Sequence, residues 1–269
     1  MRSGNGLICL IFVILILAIF TTGCARGFSG KEIIIAGSTS VETFADKWAE
    51  VYMEKFPNII VNVQGGGSSA GIQAAESGVA DIGTSSRELK PEEKDLNEII
   101  VAYDGLAIIV NSTNKIGDLT IDQIKQIFVG QIRNWQEFGG KDKVINVVTR
   151  EEGSGTRDAF QELVMKKNRI FKGAIVQDSN GTVREIVAND PNAIGYISLG
   201  LVNDKVKAMS LGGVIATDEN IINKSYSLVR PFLFVTKNTP TGEVKNFIDF
   251  VLSQEGQGLI KEEGLIPVN

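Results

Sequence analysis

The sequence predicts an α/β protein made of two domains. Four segments repeat the order strand, small-residue turn and amphipathic helix, which is typical of α/β sheets. Two long apolar strands, Leu106 to Val110 and Phe232 to Val235, stand far apart in the chain and suit a pair of connections between two domains. The 269 residues, 43% of them hydrophobic, are enough for two medium-sized cores.

The N-terminal residues are predicted to direct export. An uninterrupted apolar run, Leu7 to Phe20, follows Arg2 and has the length of a signal-peptide hydrophobic region. The Gly-Cys pair that ends at Cys24 resembles a lipoprotein processing site, where the cysteine would be lipidated. A simply cleaved signal and a retained anchor remain alternatives. We assign residues 1–24 to the signal and 25–30 to a linker, with the body in the periplasm or on the outer face of the cell membrane.

The first strand-turn-helix unit begins with the strand Ile33 to Ile35 and continues through a turn, Gly37 to Ser40. Thr39 and Glu42 have the spacing of a capping box, which predicts that the helix starts inside this hydroxyl cluster. The helix presents four large side chains on one face: Phe44, Trp48, Val51 and Tyr52.

The second and third units repeat this order. In the second, the strand Ile59 to Val63 leads into the turn Gly65 to Ser69, whose three glycines let the backbone approach another group closely. In the third, the strand Val79 to Ile82 leads into the turn Gly83 to Arg87. A helix with Pro91 in its first turn is predicted to follow, carrying Leu89 and Leu96.

The fourth unit carries the most informative chemistry. A strand over Val144 to Val148 precedes Arg150, and a helix follows with Ala159, Phe160, Leu163 and Val164 on one face. Between them, the turn formed by Ser154, Gly155 and Thr156 offers hydroxyls and N–H groups at a positive helix N-terminus. A guanidinium can clamp two oxyanion oxygens, so Arg150 is predicted to contact a ligand, with Glu152 holding it in place. Arg87 and Arg157 are further candidates, although an arginine in a first helical turn is usually solvated.

The four turns are expected to line one cleft. Ligands of open α/β sheets bind beyond the carboxyl ends of the strands, and each turn falls at such an end. Buried hydroxyls and helix-start N–H groups need partners, and a tetrahedral oxyanion accepts many hydrogen bonds at once. The sequence therefore predicts an oxyanion site that needs no metal or other cofactor.

Composition excludes several other classes of function. The net charge is −5 and no basic run with interleaved aromatic residues occurs, so nucleic-acid binding is not expected. There is no histidine, which rules out a Ser-His-Asp triad. Both cysteines, Cys9 and Cys24, lie in the N-terminal segment, so the body has neither a disulfide nor a thiolate metal site.

Residues 31 to 269 resemble the extracytoplasmic phosphate-binding protein of the phosphate-specific ABC transporter. The segments that carry the resemblance are Ala36–Thr39, Gln64–Ser69, Asp81–Arg87, Ile127–Trp135, Arg150–Arg157, Ala193–Tyr196 and Phe247–Ser253. The resemblance implies a two-lobed periplasmic-binding-protein-like fold, with two α/β domains joined by a two-strand hinge. We assign residues 31–108 and 232–269 to a discontinuous lobe I, and residues 109–231 to lobe II.

The resemblance also implies which residues contact phosphate. In the family, the third turn ends in an aspartate that accepts the proton of hydrogen phosphate, and here that position is Ser86. A serine repels sulfate less than a carboxylate does, so this position bears on selectivity. The predicted phosphate-binding residues are Thr39, Ser40, Ser68, Ser86, Arg87, Arg150, Ser154, Gly155 and Thr156.

The function that follows is a binding protein, not an enzyme, which captures inorganic phosphate and delivers it to the permease subunits of an ABC importer. A monomer is expected. One alternative is a binding protein for sulfate, molybdate or tungstate. Another is a secreted phosphomonoesterase with Ser154 or Thr156 as nucleophile, although no general base lies beside the turn. A sensor role is a third, because ligand-induced closure can signal.

Overall fold

The computed structural model describes residues 30–268, of which Lys31 onward forms one compact unit. The predicted signal segment, Cys24 and the linker up to residue 29 lie outside the described residues. Within residues 30–268 the chain forms eleven strands, β1 Lys31–Gly37, β2 Ile59–Gly65, β3 Ile82–Ser85, β4 Asn97–Asn111, β5 Asp118–Leu119, β6 Asn146–Arg150, β7 Ile175–Gln177, β8 Ala193–Ser198, β9 Val206–Ala208, β10 Ser210–Leu211 and β11 Val229–Thr236. Eight α-helices also lie in this range: α1 Thr39–Lys55, α2 Ser68–Ser77, α3 Ile121–Phe128, α4 Gly155–Phe160, α5 Asn180–Asn189, α6 Asp218–Ile222, α7 Gly242–Leu252 and α8 Gln254–Lys261.

Nine of the described strands form a continuous sheet in the order β2-β1-β3-β11-β4-β8-β6-β7, with β9 also beside β4. Strands β1, β2 and β3 are parallel to one another, as are β6, β7 and β8. The antiparallel strands β4 and β11 lie between these two parallel groups. The α/β class predicted from the sequence is therefore confirmed.

The first hydrophobic core packs α1, α7 and α8 against β1, β3 and β11. Of the predicted apolar face of α1, Phe44, Trp48 and Tyr52 are buried and Val51 is half-buried. The Trp48 ring meets Phe234 edge-on at 5.8 Å between centroids. The Tyr52 ring contacts Phe247 of α7 in the same manner at 5.1 Å. Aromatic pairs of this geometry contribute about 0.5–1.5 kcal/mol beyond their buried area, so they fix the N-terminal and C-terminal segments together.

A second core lies beneath the other parallel group of strands. Phe160 at the end of α4 stacks on Tyr196 of β8, with centroids 4.1 Å apart and planes 6° from parallel. Phe128 of α3 tilts against Phe160 at 4.5 Å. A capping box opens α3, because Thr120 Oγ1 accepts from Gln123 N and the Gln123 side chain accepts from Thr120 N.

Strand β4 takes part in both cores. Its first half pairs with β11 and buries Val101 and Ala102 in the first core. Its second half pairs with β8 and buries Leu106, Ile108 and Val110 in the second. One uninterrupted strand therefore links the two parts of the molecule.

Three local predictions were wrong. The segment after β3 forms only a 3₁₀ turn at Pro91–Glu93 and no α-helix. Its residues are mostly charged, and the two leucines, Leu89 and Leu96, are too far apart to form an apolar helix face. Strand β3 begins at Ile82, and Val79, placed in the strand from the sequence, is 71% exposed. The N-cap of α1 is Ser38 rather than Thr39, since Ser38 Oγ accepts from Ser40 N.

The described chain contains no helix with the length and apolar composition needed to cross a bilayer.

Candidate anion-binding site

The four predicted turns meet at one place in the structure. Ser40 Oγ, at the start of α1, lies 2.8 Å from Thr156 Oγ1 in the first turn of α4. At the start of α2, Ser69 N donates to Gly153 O at 3.1 Å. Each turn follows a strand of the sheet, so the carboxyl ends of β1, β2, β3 and β6 supply the walls of this cleft.

One wall consists of hydroxyl groups from the first three turns. Ser38 Oγ donates to Ser86 Oγ at 2.9 Å, and Ser86 N donates to Ser68 Oγ at 3.1 Å. Ser38, Ser40, Ser68 and Ser86 are each no more than 2% exposed. Because Ser86 Oγ already accepts a hydrogen bond from Ser38, its own O–H is available to donate into the cleft.

The opposite wall is the turn from Ser154 to Thr156. Ser154 caps α4 by accepting from Arg157 N at 3.2 Å. The first N–H groups of a helix have no acceptor within the helix, so Gly155 and Thr156 offer donors here. A Cβ atom at Gly155 would overlap the hydroxyls of Ser68 and Ser86, so only glycine permits the two walls to approach this closely.

Arg150 closes the cleft from the end of β6. Its side chain is 1% exposed, and Nε and Nη2 donate to Glu151 at 2.9 Å each. Backbone oxygens of Gln177 and Asp178 accept from the same edge. Nη1 is buried and has no hydrogen-bond partner among residues 30–268. A buried guanidinium nitrogen without an acceptor is costly, so this edge of Arg150 is arranged for an anion.

The prediction that Glu152 holds Arg150 was wrong. Glu152 is 93% exposed at its side chain and lies 3.9 Å from Arg157 Nη2. The preceding residue, Glu151, points inward and forms the bidentate pair. Gly153 follows with φ +90° and turns the chain into the start of α4.

Arg87 and Arg157 are engaged by the protein itself. The Arg87 guanidinium contacts Glu93 at 2.7 Å and Asp158 of α4 at 2.9 Å. Burial tends to lower the pKa of Arg87, but its bonds to Glu93 and Asp158 outweigh burial and raise it. Arg157 Nη1 donates to the backbone oxygen of Arg150 at 3.0 Å. Arg87 therefore ties the third turn to α4, and Arg157 supports the strand end that carries Arg150.

Three further residues beside the turns were missed from the sequence. Arg230 of β11 and Asp104 of β4 form a fully buried ion pair at 2.8 Å, opposite each other in the strand register. Burial raises the pKa of Asp104 and lowers that of Arg230, and their mutual attraction opposes both shifts. Asn180, at the start of α5, donates to Ser40 Oγ at 2.9 Å and to Thr39 Oγ1 at 3.3 Å. The sequence signal for the ion pair was a single charged residue just before each of the two long apolar strands, Asp104 before one and Arg230 before the other.

The chemistry of this cleft is that of a hydrogen-bond donor site. Hydroxyls and helix-start N–H groups line the cleft, and Arg150 of the adjoining strand has one guanidinium nitrogen without a partner among the described residues. The nearby carboxylates of Asp104, Glu151 and Asp158 are each paired with an arginine. Such an arrangement suits a compact oxyanion with several acceptor oxygens.

A family model described as a PBP superfamily domain matches residues 24–255, a range that contains all four turns. The chain is 35% identical over 243 residues to the phosphate-binding protein PstS of Bacillus subtilis (strain 168), covering 88% of this chain and 81% of that protein. It is 32% identical over 275 residues to the phosphate-binding protein PstS of Borreliella burgdorferi, covering 95% of this chain and 98% of that protein.

Two solved structures are similar in fold and sequence. The first is a Clostridium perfringens protein assigned as a phosphate ABC transporter substrate-binding protein and solved with bound phosphate. It is 47% identical, has a TM-score of 0.86, and is matched over 89% of this chain and 100% of its own. The second, an ABC-type phosphate transport receptor from Vibrio cholerae, is 41% identical with a TM-score of 0.73, over 87% of this chain and 99% of its own.

Proposed function

We propose a function for this chain from the family to which it belongs, the PBP superfamily and, within it, the phosphate-binding proteins PstS. The chain captures inorganic phosphate between two lobes and delivers it to an ABC importer. Membership of this family confirms the predicted resemblance and the two-lobed periplasmic-binding-protein-like fold. The named relatives are phosphate-binding proteins of phosphate transport, and one similar structure holds phosphate.

The observation that carries the proposal is the free edge of Arg150. Nη1 is buried without a partner among the described residues, and Arg150 ends β6, the strand that leads into the turn from Ser154 to Thr156. Phosphate would accept from this nitrogen, from the N–H groups of Gly155 and Thr156, and from the hydroxyls of the facing wall. Charge-assisted hydrogen bonds contribute about 1.5–3 kcal/mol each, so a handful of them accounts for the roughly 8 kcal/mol of a micromolar complex.

We propose as phosphate contacts the residues that the sequence predicts, with the exception of Arg87. Its guanidinium is occupied by Glu93 and Asp158, so it supports closure of the cleft rather than contacting phosphate directly. The remaining proposed contacts are Thr39, Ser40, Ser68, Ser86, Arg150, Ser154, Gly155 and Thr156.

The experiment that tests this function is titration calorimetry of the purified protein with inorganic phosphate. We expect one phosphate per chain with micromolar or tighter affinity. Gly155→Ala should abolish binding, because the added Cβ would overlap Ser68 and Ser86 across the cleft. Gly258→Ala is the matched control, since a Cβ there would meet no described atom within 4 Å. If the wild-type protein does not bind phosphate, the proposed function is wrong.

We further propose that the body lies outside the cytoplasm as a monomer, held to the membrane by a lipid on Cys24. The apolar run that precedes Cys24 and the membership of a transport family support this placement. Mass spectrometry of the membrane fraction should find an N-terminal diacylated cysteine, and Cys24→Ser should release the protein into the soluble fraction. Recovery of unmodified Cys24 in the mature membrane-bound protein would contradict lipid anchoring.

No catalytic step is proposed. Ser154, the nucleophile that an esterase would use, is engaged in capping α4, and the chain contains no histidine to act as its base.

A further inference from the structure

Five buried polar residues form a closed ring of hydrogen bonds next to the proposed phosphate contacts. They come from five different elements, and each is at most 3% exposed. The members of this polar ring are Ser40 of α1, Asp104 of β4, Asn180 of α5, Ser198 of β8 and Arg230 of β11.

The ring can be followed from Asp104 in both directions. In one direction, Asp104 Oδ2 accepts from Arg230 Nε at 2.9 Å and Nη2 at 2.8 Å, and Arg230 Nη2 also donates to Ser40 Oγ at 3.2 Å. In the other, Ser198 Oγ donates to Asp104 Oδ1 at 2.8 Å, and Ser198 N donates to Asn180 Oδ1 at 3.2 Å. Asn180 Nδ2 completes the ring by donating to Ser40 Oγ at 2.9 Å.

These bonds fix the direction of the Ser40 hydroxyl. A serine oxygen has two acceptor lone pairs and one O–H donor. The Ser198 N–H can only donate, which fixes the Asn180 carbonyl toward it and the amide NH₂ toward Ser40. Both lone pairs of Ser40 are then occupied by Asn180 and Arg230, so Ser40 is the donor of its 2.8 Å bond to Thr156 Oγ1, and its O–H points toward the turn from Ser154 to Thr156.

We infer that the polar ring holds Ser40 as an obligatory hydrogen-bond donor to the bound oxyanion, and that Asp104, Asn180, Ser198 and Arg230 are positioning residues for ligand capture. The inference rests on the proposed function. A hydroxyl that is already oriented loses little rotational freedom when an acceptor oxygen arrives, so preorganisation raises affinity without adding a contact. Ser40 begins α1 in the first core, whereas Asn180 begins α5, whose Val183 and Val187 pack in a separate cluster with Val148 of β6 and Ile197 of β8. The ring therefore also links these two parts of the molecule.

A double-mutant cycle between Asn180 and Ser40 tests this inference, with the dissociation constant for inorganic phosphate measured by calorimetry. Asn180→Ala should weaken binding about tenfold in the wild-type background and less than about twofold in the Ser40→Ala background. A residue that merely stabilises the fold would lower affinity equally in both. If Asn180→Ala does not fold, Asn180→Ser takes its place, because a serine keeps a polar helix-start residue but is too short to reach Ser40.

Asn111→Ala is the matched control for loss of a buried asparagine. Asn111 is 5% exposed and its amide donates to the backbone oxygens of Val187 and Ala188, away from the cleft. This variant should lose stability and keep the wild-type dissociation constant. If the wild-type protein binds phosphate and Asn180→Ala weakens that binding equally in both backgrounds, the role of the ring is refuted and the proposed function stands. A wild-type protein that does not bind phosphate would refute the proposed function and the ring together.

Discussion

At the scale of single residues, the guanidinium of Arg150 has hydrogen-bond acceptors for Nε and Nη2 but none for Nη1 among the described residues. Glu151 and two backbone oxygens fix Nε and Nη2, which leaves Nη1 buried without a partner among the described residues. Arg184 Nε is also buried without a partner in this part of the chain, so an unpaired nitrogen alone does not mark a ligand contact. For Arg150 it coincides with a place at the end of β6, directly before the turn from Ser154 to Thr156.

Arg150→Ala is expected to weaken phosphate binding by about 2–5 kcal/mol, the cost of removing one partner of a buried charge pair. Titration calorimetry measures the change, with Arg133→Ala, an exposed arginine, as the control. Near wild-type affinity in the Arg150 variant would remove this residue from the site.

Ser86 occupies the position at which the resemblance predicts a proton-accepting carboxylate. In the structure its hydroxyl accepts from Ser38, so it faces the cleft as a donor. We expect Ser86→Asp to increase the ratio of phosphate to sulfate affinity, because a carboxylate accepts the proton of hydrogen phosphate and repels sulfate. Ser86→Ala should weaken both anions to a similar extent. An unchanged ratio in the aspartate variant would mean that another group sets selectivity.

At the scale of elements, α4 is tied to the third turn by the ion pair of Asp158 with Arg87. The arginine side chain is 4% exposed and the aspartate 30%, so solvent screens this contact only in part. We expect Asp158→Asn to weaken phosphate binding by about 0.5–1.5 kcal/mol, because the closed arrangement loses one of its contacts. Small-angle scattering of the phosphate-free variant should show a larger radius of gyration.

Asp249→Asn is the control for this prediction. Asp249 forms an exposed pair with Lys245 within α7 and should not affect phosphate affinity. Wild-type affinity and dimensions in the Asp158 variant would mean that the pair does not support closure.

At the scale of the whole molecule, acid stability should depend on Glu93. Its hydrogen bond to Arg87 lowers its pKa below the ordinary glutamate value of about 4.3. A carboxyl with a depressed folded-state pKa contributes stability that is fully present above its unfolded pKa and is lost as the pH falls through the folded one. Glu93→Gln should therefore be less stable than wild type by about 1–3 kcal/mol at about pH 7, and nearly equal to it at about pH 2.5.

Urea unfolding of both proteins at the two pH values measures this difference. A constant difference in unfolding free energy across the range would show that the ionised form of Glu93 contributes nothing, and that the substitution acts through packing.

The features of the fold that could be predicted from the sequence are those determined by residues close together in the chain. The hydroxyl turns and most of the apolar face of α1, Phe44, Trp48 and Tyr52, depend on residues close together in the chain, and both are present. The helix predicted after β3 failed because Pro91 and the charged residues around it leave too few apolar side chains to bury.

The polar ring could not be predicted because its bonds depend on strand register and on the closing of the cleft. Arg230 and Asp104 are 126 positions apart, and only the antiparallel pairing of β11 with β4 sets them opposite each other. Which of the adjacent residues Glu151 and Glu152 faces Arg150 depends on the direction of the chain as it leaves β6. A pattern of residue types records neither of these.

Strand β4 has a consequence for how the molecule unfolds. It contributes Val101 and Ala102 to one hydrophobic core and Leu106, Ile108 and Val110 to the other, and its pairing passes from β11 to β8 between Gly105 and Leu106 within one strand. Melting either core would strip one half of this strand of its neighbours and destabilise the half that remains paired. The two halves of the molecule should therefore melt cooperatively, in a single calorimetric transition, even though each half has its own apolar interior.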